Sequence, residues 1–127
     1  MRQTAACFLI KNNQVLLLKI HYPDGRVIWN GVAGWVEEGE TPEQGIIREI
    51  KEEIGIEVKE EDLKKGYETK DEIPFTTFTT SKWQGNPICG EESIKEVKWF
   101  NFKDIPFNQM MKDNKDWLPK MLSVHWE

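Results

Sequence analysis

One segment of the chain specifies a helix and fixes both its ends. In EGETPEQGIIREIKEEIGI, residues 38–56, Thr41 suits the N-cap, Pro42 the first helical position, and Gln44 completes a Thr-x-x-Gln capping box. Gly55 supplies the residue that closes a helix in the left-handed region. At about 100° per residue, Ile46, Ile47, Ile50 and Ile54 form one apolar stripe. Glu49, Glu52 and Glu53 occupy a neighbouring arc that flanks this stripe. Like charges at these spacings repel by a few tenths of a kcal/mol per pair. Acidic helix faces are ordinarily solvated, whereas a partly enclosed edge is where a hard cation would use three carboxylates best. The segment alone leaves both readings open.

The rest of the chain reads mainly as strands. TAACFLI and QVLLLKI are apolar runs separated by KNNQ, a hairpin signal. HYPDGRV is a loop, and WNGVAGWV returns to an apolar pattern with glycines that imply close backbone approach. DLKKGYETK, FTTFTTSKW and EVKWFNF have strand composition and alternation. Two short helical pieces are expected between Phe107 and Trp126, the second starting near Asp116, which would serve as its N-cap. The expected fold is a layered α/β (α+β) domain with a mixed sheet, one central helix and a helical C-terminus. No repeat or linker divides it, so residues 1–127 are read as a single domain.

Composition narrows the function. The net charge of −5 and pI of about 5.2 argue against broad electrostatic binding to nucleic acid. They leave room for a small phosphorylated ligand, because a bound divalent cation reverses the local sign of an acidic site. No apolar run approaches the roughly 18 residues of a membrane span. The first residues lack a small-residue cleavage site before charge returns, so no signal peptide is expected. Cys7 and Cys89 lack metal-ligand or CxxC spacing, which fits reduced thiols and a cytoplasmic protein.

Gly34, Glu40, Arg48, Glu49, Ile50, Glu52, Glu53, Gly55 and Ile56 have a spacing that resembles the Nudix box, Gly-x5-Glu-x7-Arg-Glu-U-x-Glu-Glu-x-Gly-U, with U aliphatic. The resemblance implies an α/β/α sandwich with a loop–helix–loop motif, hydrolysis of nucleoside diphosphates linked to another moiety, and magnesium or manganese as cofactor. By position, Glu52 and Glu53 are the central ligands with Glu49 nearby. Glu40 is a further acid, Arg48 orients a glutamate, and Gly34 lets the backbone approach the metal. Carboxylates are the hard oxygen donors such an ion takes. A general base could come from the box or from a later loop, where CGEESIKEVKW offers Glu91, Glu92 and Glu96. Glu96, three residues before Trp99, matches a common family pattern, although a solvated charge would look the same. Lys19 resembles a basic residue that relatives aim at phosphates, or is simply exposed at a strand end.

The resemblance extends to the MutT-like oxidised purine nucleoside triphosphatases. WNG at 29–31 and the matches Phe100, Ile105, Pro106, Phe107, Met110, Asp113, Trp117 and Pro119 are similar to that branch. Met111 stands where those enzymes carry a stacking tryptophan, and Asn114 replaces the second of two acids that read the purine edge. Asn30, Asp113 and Asn114 would still offer acceptors and an amide to a guanine-like edge, with methionine a poorer stacking plate. A polar turn between helices would account for KDNKDW equally well, and Trp99 and Trp117 are expected in the core. The substrate implied is a purine nucleoside triphosphate, 8-oxo-dGTP first. Two alternatives stand beside it: ADP-ribose or a dinucleotide polyphosphate, with Pro74 as a weak signal, and a non-catalytic nucleotide sensor, a class that usually loses box glutamates. Monomer and homodimer are both open.

Overall fold

The computed structural model describes residues 2–126. Strands β1 (Gln3–Lys11), β2 (Gln14–His21), β3 (Val27–Asn30) and β4 (Val32–Val36) precede helix α1 (Pro42–Ile54); β5 (Lys64–Thr69), β6 (Phe75–Thr80), β7 (Ile94–Asn101) and α2 (Asn114–Leu122) follow. The sheet runs β3-β2-β1-β6-β5, with β4 added to β1 and β7 to β2. It is mixed, because β1 pairs parallel with β6 and antiparallel with β4. The β1–β2 hairpin turns on Asn12 and Asn13, both at positive φ (51° and 60°), the conformation that a two-residue hairpin needs and asparagine tolerates.

Strand β1 explains why its sequence is a continuous apolar run. Ala5, Cys7 and Leu9 enter one core with Ile46, Ile50 and Ile54 of α1. Ala6, Phe8 and Ile10 enter another with Trp117, Leu118, Met121 and Leu122 of α2. A strand covered on both faces cannot alternate with polar residues. The result is the expected α/β/α sandwich. Ile46, Ile50 and Ile54 are all 0% exposed, and each such side chain contributes about 1.5–3 kcal/mol.

Both ends of α1 form as the sequence specifies. The Gln44 N–H donates to Thr41 Oγ1 at 3.1 Å, and the Thr41 N–H donates to Gln44 Oε1 at 2.9 Å. Gly55 lies at φ 71° and donates its N–H to the Lys51 carbonyl. Thr41→Ala should therefore cost about 1 kcal/mol, read as a lower urea midpoint with an unchanged m-value.

The start of α2 differs from expectation. The helix begins at Asn114, and the Asp116 N–H already donates to the Asp113 carbonyl at 2.9 Å, so Asp116 lies in the first turn and does not cap it. The preceding bond from Asn114 N–H to the Met111 carbonyl, 3.0 Å, winds the backbone two residues early. Asp113 holds the N-cap position without a side-chain capping bond. Trp117 is buried against Phe8, Tyr67 and Phe75, and Trp99 is half-buried and stacks on Trp83, so both serve the cores as expected.

Candidate functional site

Arg48 organises the loop–helix segment. Its Nε and Nη2 donate to the two oxygens of Glu40 at 2.9 and 3.1 Å, and Nη2 also reaches the Trp35 carbonyl at 3.1 Å. Its Nη1 donates to Glu49 at 2.8 Å and to Glu52 at 3.4 Å. Glu40 also accepts the Glu37 N–H at 2.8 Å. The hydrogen bonds from Arg48, then that from Glu37, hold the Glu40 carboxyl below its usual range. The same carboxylates, Glu40 first, keep Arg48 firmly charged. One planar fork thus straps the loop after β4 to α1 and fixes where Glu49 points.

Glu49 and Glu53 converge one helical turn apart in a cleft of about 400 Å³, lined also by Ile20, Tyr22, Gly34 and Glu91. Glu53 is only 6% exposed. Burial first, then a hydrogen bond to Glu49 and the charges of Glu49 and Glu91, push its carboxyl well above the ordinary range; an N–H donated by Ala33 opposes this. Two acids in hydrogen-bond contact inside a cleft share a proton unless a cation offsets their repulsion. The donor set around the cleft is entirely oxygen, without histidine or cysteine, which fits a hard divalent ion.

Gly34 has a specific reason to lack a side chain. An ideal Cβ there would overlap the Glu49 carboxyl group, 2.7 Å from each oxygen. Its position on β4, opposite Ala5 of β1, brings bare backbone against the carboxylate.

The remaining candidates fall into two groups. Glu52 has a half-exposed side chain beside Arg48 and does not line the acidic cleft, so the converging pair is Glu49–Glu53, not Glu52–Glu53. Among the described residues no three acid, histidine or cysteine side chains already form a closed cage. Glu96 is exposed on β7, paired across the sheet with Lys19 of β2, and lies outside the cleft. Asn30 ends β3 half-buried, its Oδ1 accepting the Gly31 N–H at 2.8 Å. Met111 is half-buried, Asp113 exposed and Asn114 buried in the first turn of α2. None of these four lines the acidic cleft.

Glu91 is the cleft residue that sequence order did not single out from its neighbours. Its loop docks on the end of α1 through the Gly90 N–H, which donates to the Glu53 carbonyl at 2.8 Å. A Cβ at Gly90 would meet that same carbonyl at 2.8 Å. The glycine directly before Glu91 is the signal that this acid, and not Glu96, is drawn against the helix.

Fold and site define a class: a mixed-sheet domain that presents oxygen donors from one strapped helix to a cleft. The chain belongs to the Nudix family, whose NUDIX domain model matches residues 1–121. Similar curated proteins include the oxidized purine nucleoside triphosphate hydrolase of Danio rerio, 37% identical over 101 residues, 74% of this chain and 62% of that protein. The NAD-capped RNA hydrolase NudC of Shigella flexneri is 33% identical over 111 residues, 82% of this chain and 42% of that protein. The chain therefore spans less than two thirds of the length of these relatives. A MutT structure from work on the Aliivibrio salmonicida and Vibrio cholerae proteins superposes with a TM-score of 0.81 over 98% of both chains, at 22% identity. The E. coli ORF135 protein gives 0.78 over 98% of this chain and 91% of its own, at 16% identity. At these identities the likeness establishes the MutT fold. Nudix hydrolases generally use divalent metal ions. No helix among the described residues is long and apolar enough to cross a membrane.

Proposed function

We propose that the chain hydrolyses a purine nucleoside triphosphate, 8-oxo-dGTP first, to the monophosphate and pyrophosphate with Mg²⁺ or Mn²⁺. The observation that carries this reading is the contact of buried Glu53 with half-buried Glu49, which Arg48 holds in place. Glu49 and Glu53 would hold the ion, with Glu52 at the edge. When bound, such an ion neutralises phosphoryl charge and lowers the pKa of a bound water. The residues do the positioning: Arg48 and Glu40 fix Glu49, and Glu91 faces Glu53 from the loop, placed to accept a proton from the attacking water. One water adds to phosphorus, the P–O–P bond between the α and β phosphates breaks, and pyrophosphate leaves.

On the α2 side, Asn30 keeps an amide NH₂ for a purine acceptor, and Asp113 and Asn114 offer complementary groups. Met111 supplies a sulfur contact in place of a ring. Lys19 would meet phosphate from the neighbouring strand. The Danio rerio relative supports this choice by its name. The Shigella flexneri relative favours the second reading, a nucleoside diphosphate linked to another group. The retained glutamates weigh against a non-catalytic sensor. The working picture is a small-molecule enzyme of the cytoplasm, monomer or homodimer, that does not bind nucleic acid or membrane.

Product analysis with Mg²⁺ across dGTP, 8-oxo-dGTP, other triphosphates and ADP-ribose tests the reading. A preference for 8-oxo-dGTP of at least tenfold in kcat/KM, with pyrophosphate released, is the expected result. Cleavage of ADP-ribose alone would discard the purine pocket around Asn30, Asp113 and Asn114.

A further inference from the structure

Strand β5 ends the sheet. It pairs with β6 and, among the described residues, with no other strand, so one row of its N–H and C=O groups stays open to a further strand. Its ladder to β6 is irregular. Gly66 and Tyr67 together face the single residue Thr77, a bulge of the kind that bends a strand and re-aims a side chain. The Thr77 hydroxyl donates to the Tyr67 carbonyl at 2.6 Å, and the Tyr67 ring lies parallel to Trp117 of α2, centroids 5.1 Å apart. Gly66 admits Met121, whose side chain would lie 2.7 Å from a Cβ at that position. Between this edge and α2 lies a cavity of about 470 Å³, with Tyr67, Trp117, Met121 and Val124 giving it a mainly apolar lining.

Its mouth is basic in an acidic chain. Lys64, Lys65 and Lys120 line it against one acid, Asp116, although the net charge is −5. Lys65 pairs with Glu68 at 3.6 Å, whereas Lys64 and Lys120 form no ion pair among the described residues. Lys64 stands opposite Thr79, so both project from one face of the sheet. The Thr79 hydroxyl lies 2.9 Å from Nε2 of His125, just beyond α2, which puts Lys64 on the cavity side. The cavity shares no lining residue with the acidic cleft. Strands β1 and β6 separate β5 from β4, which carries Gly34, about 14 Å at the usual strand spacing.

We propose that this edge binds an extended acidic peptide of a partner protein. The peptide adds to β5 as a strand, places an apolar side chain in the cavity and sets carboxylates against Lys64 and Lys120. In strand addition the main-chain bonds supply affinity and the side-chain pocket supplies specificity. Lysines on an edge discourage neutral and basic strands and favour an acidic one. A small amphiphile would use the cavity and the lysines but not the open edge, and only a peptide uses all three.

The test titrates the native chain into a fluorescein-labelled peptide, Asp-Leu-Glu-Val-Asp-Leu-Glu, and reads anisotropy. Saturable binding is expected. It should weaken roughly tenfold or more in Lys64→Glu/Lys120→Glu, the scale of turning two charge contacts repulsive. Both lysines are exposed and outside the acidic cleft, so the melting temperature and metal-dependent turnover of that variant should stay native. Peptides N-methylated at every second amide, made in both phases, should lose binding in at least one phase. No binding, equal binding by the native chain and the double variant, or full binding by both methylated peptides overturns the proposal. Laurate bound through the same lysines in place of the peptide would put a small amphiphile there. A native dimer split by Lys64→Glu in sedimentation would put a second copy there. Either result also overturns it.

Discussion

Glu53→Gln should lower metal-dependent turnover by about 10³-fold while the protein remains folded. A divalent ion acting on phosphoryl charge supplies several kcal/mol, and each 1.36 kcal/mol is roughly tenfold in rate. Glutamine keeps the shape and can still accept the Ala33 N–H, but it carries no charge for an ion. Stability should move the other way. In the metal-free native chain the folded-state carboxyl of Glu53 is raised, so the folded state binds a proton that the unfolded chain releases. The contribution of Glu53 to stability is then greatest below the ordinary carboxylate range and falls as pH rises through it toward the raised folded-state value. Glu53→Gln removes that slope, so at neutral pH with EDTA its melting temperature should equal or exceed the native value. Magnesium should raise the melting temperature of the native chain and not that of the variant. Native-like turnover in Glu53→Gln would end its assignment as a ligand. A large loss of EDTA-state stability would mean that the side chain is structural.

The parts of the fold that were readable share one property: their signals are local. Thr41, Pro42, Gln44 and Gly55 fix α1 through contacts within a few residues, and the spacing from Gly34 to Ile56 is set within one loop and one helix. The doubly buried β1 was readable because burial on both faces leaves an unbroken apolar run. What was not readable depends on distant packing. Asp116 has the chemistry of an N-cap, yet the turn from Met111 winds first. Glu91, Glu92 and Glu96 are indistinguishable in a string of charges, and only the docking of Gly90 on the end of α1 separates them. Glu52 and Glu53 are neighbours in sequence, but about 100° of rotation puts one beside Arg48 in solvent and the other beside Glu49 in the cleft.

Gly34→Ala should separate the site from the fold more sharply than any change on the helix. A Cβ at position 34 would overlap the Glu49 carboxyl, and something must move. The backbone on one side is β4, held by its ladder to β1; the group on the other is the end of a flexible glutamate. The glutamate gives way. Because that group is partly exposed and remains near solvent, the cost in stability should be small, within about 1 kcal/mol of the native chain. The cost in function should be large. Displacing Glu49 breaks its 2.8 Å bond with Arg48 and its contact with Glu53 together, and a ligand misplaced by about 1 Å loses about 10²-fold in rate. The expected result is a urea midpoint close to native, a magnesium requirement shifted to higher concentration, and turnover reduced about 10²-fold. If instead Gly34→Ala lowers stability by several kcal/mol, the glycine serves close packing of β4. If turnover and magnesium dependence are both unchanged, Glu49 does not hold the ion, and the carboxylates that do must be sought at Glu52 and Glu91.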